Sequence, residues 1–81
     1  MKNITMYSKA SCGYCHAAKE LLNSHGMDFV EIDVAWDAEM HSEMMTRSQR
    51  RTVPQIFFDD EHIGGYTELR SLLSDQSRKS F

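Results

Sequence analysis

No apolar run in this 81-residue chain approaches the ~20 residues that a membrane-spanning helix needs, so a helical membrane anchor is not expected. Positive charge is also scarce. Nine Lys and Arg face twelve Asp and Glu, and the formal charge of −3 argues against a nucleic-acid partner, which would want a basic face. Cysteine occurs only twice, at Cys12 and Cys15, too few to close a structural zinc site of about four ligands. The histidines (His16, His25, His41 and His62) do not make up the difference, because no two of them lie at finger spacing. A structural disulfide between the two cysteines would close so short a loop that chain entropy gains only about 2 kcal/mol. There are no repeats and no internal linker, and a hydrophobic content of 41% is ordinary for a folded protein. One small domain with a modest core is expected over residues 1–81, with 75–81 as a polar, loosely docked tail. Met1-Lys2-Asn3-Ile4 enters a strand with no signal-peptide apolar region. A reducing cytoplasm is therefore the expected location, and a disulfide there would be transient and catalytic.

What the chain does have is Cys12-Gly13-Tyr14-Cys15, a pair at redox spacing between a strand-like and a helix-like segment. A helix start carries unpaired backbone N–H groups and the positive end of the macrodipole, both of which favour a thiolate. The thiolate is the species that attacks disulfides. A CxxC at a strand–helix joint near the N-terminus reads as a thioredoxin-like redox motif.

Residues 3–7 alternate as a strand. Ser11 is the expected cap of a helix beginning near Cys12 or Gly13, with Ala17, Ala18, Leu21 and Leu22 on its apolar stripe and its end at His25-Gly26. Met27 to Val34 alternates as a second strand, which completes a right-handed βαβ unit. Asp37 caps a second helix through about Ser48, with Met40, Met44 and Trp36 on its buried side. The six methionines are read as core filling. Pro54 to Phe58 and His62-Ile63 form a hairpin, and Gly64-Gly65 breaks it. Tyr66 starts a third helix that turns Leu69, Leu72 and Leu73 inward. The order βαβαββα is an α/β layer fold with four strands and three helices.

Four separated segments, Tyr7-Ser8-Lys9, Cys12-Gly13-Tyr14-Cys15, Thr52-Val53-Pro54-Gln55 and Gly64-Gly65-Tyr66-Thr67-Glu68-Leu69, together resemble the glutaredoxin family along essentially the whole chain. The resemblance implies a thioredoxin-like fold with a four-stranded mixed sheet, and a cis bond between Val53 and Pro54. It also implies that the Val53 backbone turns toward the cysteines, free to pair with an extended peptide such as glutathione. Gly65 and the N–H groups of Tyr66 and Thr67 would then receive the γ-glutamyl end, as a helix start receives a carboxylate. Thr52 and Val53 would hold the peptide, Tyr14 would shape access, and Lys9 would hold the glycyl carboxylate and support the Cys12 thiolate. Thr67 stands where relatives have Ser or Asp, and Tyr66 where they often have Cys. Gly13 replaces a common proline and leaves the first helical turn looser. His41 replaces a Gln or Arg, so no role is carried over to it. Arg47, Arg50 and Arg51 form a basic turn that either is simply solvated or draws in anionic substrate.

The implied activity is glutathione-dependent thiol–disulfide exchange on glutathionylated or disulfide-bonded client proteins. Cys12 is the attacking thiol and Cys15 the resolving one. Glutathione is the reductant, regenerated by glutathione reductase and NADPH; no metal or other cofactor is bound, and a monomer suffices. A poise of about −200 to −230 mV goes with such a protein. Two other readings compete with this one. In one, Cys12 from two subunits and two glutathiones would hold a 2Fe–2S cluster. Family members built for that task generally have Ser at the position of Cys15 and extra residues after the lysine, and this chain has neither. In the other, thioredoxin reductase would reduce the protein directly, but such proteins lack a Gly-Gly-Tyr-Thr carboxylate site.

Overall fold

Period-two alternation followed by helical spacing and a second alternating run dictates a strand–helix–strand start. The computed structural model describes residues 3–79 and has that start. The elements are β1 (Ile4–Ser8), α1 (Gly13–Ser24), β2 (Val30–Asp33), α2 (Ala38–Ser48), β3 (Gln55–Phe58), β4 (Glu61–Gly64) and α3 (Tyr66–Lys79), in the expected order. They build a four-stranded sheet in the order β2-β1-β3-β4. β1 runs parallel to β2 and antiparallel to β3, and β3 runs antiparallel to β4.

Successive strand side chains point to opposite faces, so each strand feeds two cores. Ile4, Met6, Ile56 and Phe58 pack with Ala18 and Leu22 of α1 and Leu69 and Leu73 of α3. Tyr7 and Phe57 face the other way and meet Val34 and Met44 of α2. With both faces covered, all four residues of β3 are buried, which is why that strand reads as a continuous apolar run after Gln55. Methionine does fill core, as expected: Met6 and Met44 are buried, and Met27, Met40 and Met45 pack at the edges. Met1 lies outside the described residues.

Three expectations need correction. Cys12, not Ser11, is the N-cap of α1, because its own sulfur accepts the Cys15 N–H. β2 begins at Val30, not Met27, since β1 offers it partners only over Thr5–Ser8. As a result Val30, on an edge strand, is 62% exposed, while Met27 and Phe29 reach the core from the preceding loop. Trp36 is 94% exposed and takes no part in the buried side of α2. The Ala35 N–H bonds to Asp33 Oδ1 at 2.8 Å, a tight turn that delivers Asp37 to its capping position and leaves Trp36 outside. α3 runs on to Lys79 through the residues expected as a polar tail, and residues 80–81 lie outside the described range.

Candidate active site

The joint between β1 and α1 positions the cysteines. The Cys12 N–H bonds back to the Lys9 carbonyl at 3.1 Å, closing the turn. The His16 N–H bonds to the Cys12 carbonyl at 3.3 Å, opening the helix. Cys12 has extended backbone, and its Sγ lies 3.3 Å from the Cys15 N–H, so the sulfur itself satisfies one of the helix's unpaired donors. That donor would equally hold a thiolate. Both thiols are free; Cys12 is half-buried and Cys15 fully buried. Burial pushes the Cys15 thiol up to about 12, and a hydrogen bond with Cys12 adds to the effect. The two cysteines are thus chemically unequal, one reachable and one held protonated at neutral pH.

Val53-Pro54 is cis, and the Cys12 thiol lies 3.7 Å from the Val53 carbonyl, to which it donates. Among the described residues the Val53 N–H has no partner. Beside this edge lies a cleft of about 290 Å³ whose walls include Tyr14, Thr52, Val53, Pro54, Gly65, Tyr66 and Thr67. Those are seven of the residues singled out from sequence, drawn from three separate segments. Tyr14 and Tyr66 flank the opening with ring centroids 6.0 Å apart. Gly65 packs closely here: a Cβ would stand 3.3 Å from the Pro54 carbonyl, a tight contact that would need a shift of a few tenths of an ångström. Gly64, at φ +122°, adopts backbone that other residues rarely take.

Lys9 and His41 do not line this cleft. The Lys9 side chain is half-buried beside the CxxC turn and makes no ion pair among the described residues. The basic turn divides into three roles. Arg47 lies 4.0 Å from the Phe57 ring centroid and donates to the Tyr7 hydroxyl at 2.8 Å, so it clamps α2 to the sheet. Arg50 lines the cleft and pairs with Glu68 at 2.9 Å, and Arg51 is exposed.

Sequence reading missed Gln55 and Glu68 as cleft residues, and of the basic turn it did not single out Arg50. Glu68 had a local signal, because it lies three residues after the residue that precedes α3, at capping-box spacing. Its Oε1 accepts the Gly65 N–H at 2.7 Å. That bond, with help from Arg50, holds the Glu68 carboxyl below the usual carboxylate range. Behind the cysteines, Glu31 accepts from Ser8 and pairs with Lys19 at 2.6 Å, and the Lys19 bond in particular holds the Glu31 carboxyl low.

Comparison with known proteins identifies the family. The sequence profile of the glutaredoxin family matches residues 4–63. This chain belongs to the glutaredoxins. It is 49% identical over 72 residues to glutaredoxin 3 of Escherichia coli K12, an alignment covering 89% of this chain and 87% of that protein. It is 42% identical over 73 residues to a glutaredoxin of Neisseria meningitidis, covering 89% and 86% respectively. Among solved structures, the solution structure of Brucella melitensis glutaredoxin matches with a TM-score of 0.81 at 39% identity, covering 99% of this chain and 87% of that one. The crystal structure of a buckwheat glutaredoxin–glutathione complex matches with a TM-score of 0.83 at 26% identity, covering 93% and 71%. The fold is therefore the thioredoxin fold, and the glutaredoxin described here is a thiol–disulfide oxidoreductase with a CxxC pair. No helix among the described residues is long and apolar enough to cross a membrane.

The inequality of the two thiols has a direct chemical readout. At pH 7 iodoacetamide should label reduced native protein once, on Cys12. With its thiol pushed up to about 12 by burial, Cys15 carries far less thiolate than an ordinary cysteine, and it is also inaccessible. Peptide mass mapping should find the second label only after denaturation. Equal labelling of both residues in the native protein would contradict the assignment.

Proposed function

We propose that this glutaredoxin is a glutathione-dependent oxidoreductase that reduces protein–glutathione mixed disulfides and protein disulfides. The observation that carries the reading is the half-buried Cys12 sulfur, set 3.7 Å from the Val53 carbonyl at one wall of the cleft. An extended peptide can pair with the open Val53 edge by strand addition, which would lay its own sulfur toward Cys12. The helix start at Tyr66 and Thr67 suits the carboxylate of a γ-glutamyl end. The buckwheat neighbour solved with glutathione adds support.

In the proposed reaction the Cys12 thiolate attacks the glutathionyl sulfur of the mixed disulfide. A bond forms between Cys12 Sγ and that sulfur as the protein–glutathione S–S bond breaks, and the client thiolate leaves and takes up a proton. A second glutathione, as thiolate, attacks the bound glutathionyl sulfur. Oxidised glutathione departs and the Cys12 thiolate returns; glutathione reductase and NADPH restore the pool. For a client disulfide, Cys12 first forms a mixed disulfide with the client. Cys15 then loses its proton and attacks Cys12 Sγ, expelling the client's second thiolate and leaving the Cys12–Cys15 disulfide for glutathione to reduce. Thr52, Val53, Pro54, Gly65, Tyr66 and Thr67 bind the peptide, Tyr14 shapes the entrance, and Lys9 meets the glycyl carboxylate from outside the cleft. The proposed protein works as a cytoplasmic monomer without a bound metal.

The test is turnover of a glutathionylated peptide by metal-free, fully reduced protein, coupled to glutathione, glutathione reductase and NADPH. Steady NADPH consumption that depends on both protein and glutathione is the expected result. No consumption above the uncatalysed rate overturns the reading.

A further inference from the structure

A hydrogen-bonded chain runs from the hairpin edge to the cleft wall, from His62 through Gln55 to the peptide-binding Thr52, and His62 and Gln55 have no role in the reading above. Gln55 is buried, 1% exposed, and a buried amide needs partners for all of its polar atoms. Its Nε2 donates to the Thr52 carbonyl at 2.9 Å and to Thr52 Oγ1 at 3.2 Å. Both amide hydrogens are therefore spent on Thr52, and Oε1 must accept. It faces His62 Nε2 at 2.7 Å. With both amide hydrogens on Thr52, Oε1 accepts a hydrogen bond from the imidazole Nε2–H. Burial, reinforced by Arg50, holds His62 below its ordinary value, consistent with a neutral ring that carries a single proton. The ring also lies against Phe57, with centroids 5.0 Å apart, so its plane is set by packing as well as by the hydrogen bond.

The chain ends on Thr52, the residue before the Val53 edge whose carbonyl faces Cys12 Sγ. Thr52 itself is exposed and belongs to no strand or helix, so nothing in the backbone ladder fixes it. We infer that His62 and Gln55 are positioning residues, which orient the Thr52-Val53 segment for the glutathionyl peptide without touching it through His62. This inference rests on the glutathione reading above. Removing the His62 donor strands Gln55 Oε1 in a buried site; the amide then reorients and releases Thr52. The backbone turn that carries Cys12 is held by Lys9, Cys15 and His16, so of the Thr52-Val53 segment only the Val53 carbonyl, to which the thiol donates, reaches the nucleophile.

His62→Leu and His62→Gln both lose the imidazole ring, but only the glutamine keeps an N–H donor near the Nε2 position. Comparing them separates the hydrogen bond from ring packing. Gln55→Met removes the amide by a second route at similar side-chain volume. The KM for a glutathionylated peptide should rise about five- to tenfold in His62→Leu and Gln55→Met, and stay within about twofold of wild type in His62→Gln, as expected for one hydrogen bond of about 1 kcal/mol. The kcat should stay within about twofold of wild type, and iodoacetamide should still label Cys12 alone in the native protein. An unchanged KM in His62→Leu and Gln55→Met overturns the inference, as does a His62→Gln as impaired as His62→Leu. If wild type itself fails to turn the peptide over with glutathione, the glutathione reading has failed, and this inference falls with it.

Discussion

Cys12→Ser should reduce turnover of glutathionylated peptide and of client disulfide alike to background, a loss on the order of a thousandfold or more, because a hydroxyl at neutral pH is a far weaker nucleophile than a thiolate. Cys15→Ser should split the two activities. Turnover of the glutathionylated peptide should keep the same order of magnitude, since that route needs only Cys12 and a second glutathione. Reduction of a client disulfide should fall sharply, because the mixed disulfide with Cys12 would have no buried partner to resolve it. The split follows from position. Cys12 caps the helix with its sulfur at the cleft edge, while Cys15 sits one turn inside, fully buried and pushed up to about 12. Coupled assays on the two variants with both substrates check this. Equal loss of both activities in Cys15→Ser would mean that Cys15 takes part in every turnover.

Leu69→Ala should be the most damaging single truncation near the site. Leu69 is fully buried between α3 and the sheet, in the core that also holds Ile56 and Leu22. It follows the first turn of α3, and its N–H bonds to the Gly65 carbonyl at 3.0 Å. Removing a buried leucine costs about 2–5 kcal/mol in lost transfer energy and residual cavity. A domain of this size has only about 4–12 kcal/mol of total stability, so the loss is a large share of it. The melting temperature should fall by at least about 8 °C. Because the same turn of α3 forms one wall of the cleft, affinity for glutathione should fall with it. Trp36→Ala is the contrasting case. Despite its size, Trp36 is 94% exposed, and its loss should change stability by no more than about 0.5 kcal/mol. Thermal unfolding of the two variants beside wild type decides both statements.

The contrast between Leu69 and Trp36 also marks how far the sequence was legible. Leu69 lies on a helical stripe with Leu72 and Leu73, and the stripe alone is enough to turn it inward. Trp36 has no periodic companions. Its exposure is decided by the turn that Asp33 makes with Ala35, and local pattern does not reveal which way that turn points. The CxxC at the strand–helix joint, the Asp37 cap and the Gly64-Gly65 break are local features, and the structure has all three. Choosing Ser11 as the first cap failed because Ser11 and Cys12 both carry an acceptor, and only the chain path selects between them. Arg50 with Glu68 and His62 with Gln55 join residues brought together by the hairpin and by the start of α3. Side-chain pairing across such distances leaves no periodic trace. The β2 boundary was misjudged for a related reason: Met27 and Phe29 are apolar because they pack, yet the ladder ends where β1 ends.

The central claim is that Cys12 attacks the glutathionyl sulfur of a mixed disulfide held in the cleft beside Val53. The direct measurement is mass spectrometry of Cys15→Ser after reaction, without added glutathione, with one equivalent of a glutathionylated peptide. The account predicts a glutathionyl adduct on Cys12 and free peptide thiol in solution. A peptide adduct on Cys12 with free glutathione released would contradict it, because the cleft would then be selecting the client and not the glutathionyl group.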